Sequence, residues 1–165
     1  MIVGTAVFKK MAVACDHGGL ALKPYILKTL KDLGIEYLDL GTDSMESVDY
    51  PVYAKRVGEA LHDQSVDGGI VICGSGLGIA MAANKMTGVR AAPCHTIYAA
   101  RLTRKDNDAN VLALGARVSA PHLAQAILEA FCTTPFEGGR HARRVEQLMK
   151  LESNDRGGSR DGGQR

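Results

Sequence analysis

One stretch constrains this chain more than any other: Gly69-Ile70-Val71-Ile72-Cys73-Gly74-Ser75-Gly76-Leu77-Gly78-Ile79-Ala80. Its first part is apolar and β-branched, the composition of a strand that a parallel sheet buries on both faces. Glycines at 74, 76 and 78 then allow close backbone approach and φ values that other residues resist. From Leu77 the pattern turns helical, and the first turn of such a helix points unpaired N–H groups back at the glycines, where they favour negative charge. Cys73 stands at the junction, a position that activates a thiol. The stretch fits either tight strand–helix packing or a ligand cradle, and Cys73 either a small buried hydrophobe or a base.

Several known cradles are excluded. Gly74-Ser-Gly-Leu-Gly is not the GxGxxG of dinucleotide binders, and no acidic residue ends a following strand at the required distance. It lacks the GK[ST] of a P-loop, and the arginine that a CxxxxxR phosphatase loop requires is Ile79 here.

Around this stretch, strands and helices alternate. Strands are expected at Lys10–Cys15, Ile35–Leu40, Gly69–Ile72, Gly88–Pro93 and Asn110–Leu114. Helices are expected at Leu20–Leu33, Val52–Leu61, Leu77–Lys85, Thr96–Arg104 and Pro121–Phe131, with a last helix ending near Glu152. Lys105-Asp106-Asn107-Asp108 reads as a polar turn. The alternation predicts an α/β fold: a three-layer, doubly wound (Rossmann-like) five-stranded parallel sheet with an extra C-terminal helix. In such sheets ligands bind past the carboxyl ends of the strands, at a topological switch point. The residues there are Asp16-His17, Thr42-Asp43, Cys73 to Gly78, Cys94-His95 and Arg117. Residues 10–152 form a single domain on this reading, 1–9 an N-terminal extension, and 153–165 a polar, glycine-rich disordered tail.

At 165 residues the chain is long enough for one well-buried core, and a net charge of +2 is too small to argue for nucleic acid. The arginines say more than the total. Only Arg56 precedes residue 90, so the second half is where an acidic ligand would be held. Cys15, Cys73, Cys94 and Cys132 lie far apart, a spacing that fits neither zinc nor a disulfide scaffold and suggests a reducing, cytoplasmic setting. No apolar run approaches the ~20 residues of a membrane span. Arg140 and Arg144, four apart, share a helix face that differs from the Ala142, Val145 and Met149 face. They form either a solvated basic face or an arm reaching into a neighbouring subunit. Asp16-His17 fits a helix N-cap with an exposed imidazole, or a pair of ligand contacts.

Taken together, Cys15-Asp16-His17-Gly18, Asp49-Tyr50-Pro51, Asp67-Gly68-Gly69, Cys73 to Ile79, Ala82-Ala83-Asn84-Lys85, Asn107 to Val111, Gly115-Ala116-Arg117 and Gly138-Gly139-Arg140-His141 resemble the ribose-5-phosphate isomerase B family. The family also holds the subunits of galactose-6-phosphate isomerase. The resemblance implies an aldose–ketose isomerase acting on a sugar phosphate through a cis-enediolate, without metal or organic cofactor. It implies Cys73 as the base, Ser75 as its assistant, and backbone amides from Gly74 through Gly76 and Leu77 to Gly78 around the enediolate oxygens. Asp16, His17 and Asn107 would contact the sugar. Arg117 would hold the phosphate, with Arg140, Arg144 and His141 contributed across the interface of a homodimer or tetramer. The substrate implied first is ribose 5-phosphate/ribulose 5-phosphate. Another sugar phosphate, tetrose or hexose, or a non-catalytic phosphosugar-binding module, is the alternative.

One position departs from the resemblance. The ring-opening histidine that it implies before Asn-Asp is Asp106 in this chain. A histidine titrates near neutrality and trades a proton readily with a sugar ring. An ordinary aspartate does not. Either Asp106 is tuned to do the work, or His17 or His95 replaces it, or the substrate needs no ring opening. A four-carbon sugar phosphate, its terminal oxygen blocked, closes no such ring.

Overall fold

The computed structural model describes residues 5–154; the first two residues of the expected tail, Ser153 and Asn154, end a helix, and residues 155–165 lie outside the described residues. Five strands form one sheet: β1 (Lys10–Cys15), β2 (Glu36–Asp39), β3 (Gly68–Cys73), β4 (Ala91–Pro93) and β5 (Val111–Gly115). Their order is β2-β1-β3-β5-β4 and every pair is parallel. Six helices connect and follow them: α1 (Lys23–Asp32), α2 (Tyr50–His62), α3 (Leu77–Ala83), α4 (Ile97–Asn107), α5 (Pro121–Thr133) and α6 (Arg140–Asn154). The three-layer α/β architecture and the additional C-terminal helix are as the alternation predicts.

Strand alternation gives the sheet two unlike faces. Met11, Val13, Ile70, Ile72, Leu112 and Leu114 meet α1 and α5 through Ile26, Leu30, Ile127, Leu128 and Phe131. Ala12, Ala14, Val71, Cys73 and Ala113 meet α2 and α3 through Tyr53, Ala54, Val57, Ile79 and Ala80. Small side chains bring α2 and α3 close to the sheet. A Cβ on Gly69 would stand 2.5 Å from Val57 Cγ1.

From β1 the chain moves outward one way to β2, then crosses back to β3 on the other side. The carboxyl ends of β1 and β3 therefore flank the switch point, where the connections leave a crevice. Cys15 pairs with Ile72 and Cys73 with Gly115, so Asp16, Gly74 and Ala116 emerge side by side.

Several element boundaries differ from expectation, each for a local reason. α1 starts at Lys23, with Pro24 in its first turn, because Gly19 and Leu22 are used in successive turns closed on Asp16 and Gly19 carbonyls. β4 is short because the Asn110 side chain takes the Arg90 N–H and the Gly88 carbonyl, which would otherwise extend the ladder. α4 runs on through Lys105-Asp106-Asn107, so the expected polar turn is helical. It ends at Asp108, left-handed at φ 47°, whose N–H still bonds the Arg104 carbonyl. Arg104, 6% exposed, anchors that end by bonding the Asp108 carboxylate and the Ala109 carbonyl. Its guanidinium lies 4.9 Å from the Phe8 ring centre and 5.6 Å from that of Phe131. Phe8, read from the sequence as part of an extension, is buried and stacked on Phe131, and Val7 N–H bonds the Cys132 carbonyl.

Candidate active site

The turn after β3 is folded tightly by its neighbours. Gly76 is left-handed at φ 80°, and a Cβ there would lie 2.9 Å from the Leu114 carbonyl carbon, so two constraints select glycine at once. The next residues of the β5 end close over it: Ala116 N–H bonds the Cys73 carbonyl and Arg117 N–H the Gly74 carbonyl, both at 2.9 Å. The Gly76 amide turns inward and donates to Cys73 Sγ at 3.1 Å. Ser75 Oγ accepts the Leu77 N–H at 3.3 Å.

A cavity of about 480 Å³ opens over this turn. Of the residues singled out in the sequence, Asp16, His17, Cys73, Gly74, Ser75, Gly78 and Arg117 line it. Gly76 and Leu77 shape the turn without lining the cavity. Asp16 is 6% exposed and its Oδ1 accepts the Gly19 N–H, a turn bond rather than the cap of a helix. The imidazole of His17 is not the freely exposed one a cap would leave: its Nδ1 accepts the Val48 N–H at 3.1 Å. The Arg117 guanidinium lies against Gly74, where a Cβ would stand 3.2 Å from its Nε.

Three lining residues were not singled out as site residues: Gly18, Tyr50 and Val118. Tyr50 stands over Gly78, whose Cβ would come 3.0 Å from the Tyr50 ring. The signal was present in Asp49-Tyr50-Pro51, since a proline in the first turn fixes where α2 begins and hence which residue faces the crevice.

The four thiols are not equivalent. Burial pushes Cys15 and Cys94 up to about 11 and Cys132 up to about 12, which keeps them protonated. Cys73 alone among the four lines the cavity and has a backbone N–H aimed at its sulfur.

Asp106, Asn107, His141 and Arg144 lie elsewhere. They line a second cavity of about 370 Å³ between α4 and α6, with Val145 and Leu148. Within one chain the structure does not bring this set to the Cys73 cavity. His141 Nε2 lies 3.6 Å from Asp106 Oδ1 and 3.4 Å from Arg140 Nε, between a carboxylate and a cation. Asp106, Glu137 and His141 hold ligand atoms within 4.8 Å of one another. The Lys105 ammonium, 2.6 Å from Glu137, and the Arg140 guanidinium already serve these donors and would oppose a metal ion. His95 is exposed and lines neither cavity.

Fold and site together define an α/β protein with a cavity at the switch point lined by a thiol, a hydroxyl, a carboxylate, an imidazole and a guanidinium, an arrangement that fits a sugar-phosphate isomerase. The model of the Ribose/Galactose Isomerase family matches residues 11–148. The chain is 49% identical to ribose-5-phosphate isomerase B of Escherichia coli over 87% of its own length and 97% of that protein. It is 38% identical to the D-erythrulose-4-phosphate isomerase of Pectobacterium atrosepticum, covering 88% and 97%. Among solved structures, ribose-5-phosphate isomerase B of Clostridium thermocellum superposes with a TM-score of 0.86 at 48% identity, covering 88% of this chain and 99% of that one. The chain belongs to the ribose/galactose isomerase family.

Proposed function

We propose that this chain is an aldose–ketose isomerase interconverting ribose 5-phosphate and ribulose 5-phosphate. The observation that carries the reading is the Cys73 sulfur beside the Gly76 amide, in a cavity that Asp16, His17, Ser75 and Arg117 also line. As a thiolate, Cys73 takes the proton from C2 of the open-chain aldose. The electron pair left behind forms the C1–C2 double bond of a cis-enediolate as the C1 oxygen takes up negative charge. The O2 proton passes to O1, and the same thiol returns its proton to C1 as the C2 carbonyl forms. Amides of the turn residues that line the cavity, Gly74, Ser75 and Gly78, and the Ser75 hydroxyl would face the negative oxygens as charge develops on them. Asp16 and His17 hold sugar hydroxyls, and Arg117 takes the phosphate.

Asp106, Asn107, Arg140, His141 and Arg144 would complete the site from a second copy. What supports this is that Asp106, Asn107, His141 and Arg144 line their own cavity, with Arg140 beside His141 and both arginines exposed, while the sulfur cavity has Arg117 as its one lining arginine. A homodimer, alone or paired into a tetramer, follows from that reading. The free state of all four thiols fits a reducing compartment, the cytoplasm. Residues 10–152 are the working domain on this view.

Asp106 favours a second reading, a four-carbon sugar phosphate, which needs no ring-opening acid. A coupled assay across tetrose, pentose and hexose phosphates tests both, with Cys73→Ala beside the wild type. Turnover of none of them by the wild type would leave a phosphosugar-binding module. Tetrose turnover alone would select the second reading.

A further inference from the structure

The loop between β2 and α2 is fastened at both ends before it reaches the cavity. At its start, Leu40 and Thr42 N–H groups bond the Val13 and Cys15 carbonyls. Lys23, 5% exposed, bonds the Thr42 carbonyl at 3.0 Å and pairs with Asp39 at 3.0 Å and Asp43 at 2.6 Å. Burial works against that ammonium charge, but the Asp43 and Asp39 carboxylates outweigh it and hold the Lys23 pKa above its ordinary value. Thr42 Oγ1 accepts the Ser44 N–H and Ser44 Oγ accepts the Glu46 N–H, so the loop is braced stepwise. At its far end α2 begins at Tyr50, and Val52 N–H bonds the Asp49 carbonyl. Between these anchors the loop presents one amide, that of Val48, to His17 Nδ1.

A backbone N–H can only donate, so the ring nitrogen that receives it carries no proton. The proton of a neutral ring must then sit on Nε2, which is the hydrogen-bonding atom left for whatever fills the cavity that His17 lines. We infer that His17 is a neutral Nε2–H donor to a sugar oxygen, and that the Val48 amide is the positioning group that fixes it in that form. The inference rests on the isomerase reading for the identity of its acceptor. A neutral donor suits an enediolate: it stabilises the developing oxygen charge without placing a second full positive charge beside Arg117. The loop thus acts on the reaction through one imidazole that it never lets turn over or charge at Nδ1.

Nitrogen-15 NMR of the full chain with labelled histidine reads the tautomer directly. The expected spectrum has a pyridine-like Nδ1 and a pyrrole-like Nε2 for His17 at neutral pH, assigned by its loss in His17→Gln. Val48→Pro removes the donating N–H, and its His17 signals are expected to move to a tautomer mixture, with kcat down about tenfold. Val48→Ala keeps the amide and is expected to keep the signature. Kinetically, His17→Asn retains an acceptor at the δ position but no donor reaching the cavity, whereas His17→Gln retains a donor at the ε position. The Asn variant is expected to lose about 10²-fold in kcat and the Gln variant about tenfold. A protonated Nδ1 in the wild type, an unmoved signature in folded Val48→Pro, or an Asn variant as active as the Gln variant would each overturn the inference. If Val48→Pro does not fold, the wild-type spectrum and the Asn/Gln pair decide. The nitrogen shifts need no turnover, so a chain with this tautomer that isomerises nothing sinks the isomerase reading and not the fixed donor.

Discussion

The two polar cavities are built by different means. Around Cys73 the backbone does the shaping: a left-handed Gly76, amides of one turn, carbonyls of Cys73 and Gly74 tied to the β5 end. Between α4 and α6 the shaping is done by side chains, with Arg104 and Arg90 both bonded to Asp108, and Lys105, Arg140 and His141 arranged around two carboxylates. A backbone cradle is rigid and sits at the carboxyl end of the central strand whatever surrounds it. A cluster of charged side chains is adaptable and gains meaning from what it faces. On the proposed reading the two regions divide the labour: the first would perform the proton transfer and the second would close over the substrate from a neighbouring copy.

The sharpest way to break that division is Cys73→Ala. It should lower kcat by about 10³-fold with KM within a few-fold and an unchanged far-ultraviolet spectrum. A variant that remains active would move the base elsewhere. Next comes a mixing test. Cys73→Ala and Arg144→Ala should each be impaired, Arg144→Ala by about 10²-fold in kcat/KM, because it loses a charge-assisted contact to phosphate. Refolded or exchanged together, they should recover activity, since one copy supplies the sulfur and the other the arginine. Absence of recovery would mean that the two cavities never share a substrate.

Gly74→Ala is a smaller perturbation. The added Cβ stands 3.2 Å from Arg117 Nε and displaces that guanidinium. KM should rise about tenfold while kcat changes little, because the loss is of uniform binding and not of a contact special to the transition state. An unchanged KM would take Arg117 out of phosphate binding. Asp106→His should then raise turnover of ring-forming pentose phosphate a few-fold and leave tetrose phosphate untouched. Equal effects on both would show that Asp106 has no part in ring opening.

Thiol reagents separate the four cysteines more gently. Because burial raises Cys15, Cys94 and Cys132, their thiolates appear only as pH climbs toward about 11 or 12, whereas iodoacetamide at pH 8 should label Cys73 first. Mass spectrometry should find one adduct, slowed by sugar phosphate. Labelling at Cys94 in step with Cys73 would contradict the packing.

What the sequence disclosed follows the same divide. β1 has the bounds that its apolar run suggests, Lys10–Cys15, and the glycine turn is legible because its chemistry is written in consecutive residues. The end of α4 is not legible in that way. Lys105 to Asn107 are polar enough for a turn, and contacts from distant parts of the chain accompany their helical form: Phe8 and Phe131 flank Arg104, and the Glu137 N–H bonds the Lys105 carbonyl. The shortening of β4 has the same origin, since Asn110 intervenes from 20 residues away at Arg90. Tyr50 belongs to both kinds: Asp49-Tyr50-Pro51 marks where α2 begins, but the contact of its ring with Gly78 depends on how α2 packs on α3. Local backbone constraints could be read; constraints imposed by a remote side chain could not.

The packing of Phe8 carries a practical warning for anyone trimming this chain to begin at Met11. The aromatic lost is a platform for Arg104, and Arg104 is the strut under the helix end that bears Asp106 and Asn107. A shortened protein should keep its sulfur chemistry intact and yet fray at the opposite polar cluster, so an apparently innocent cloning choice would register as a defect in substrate closure.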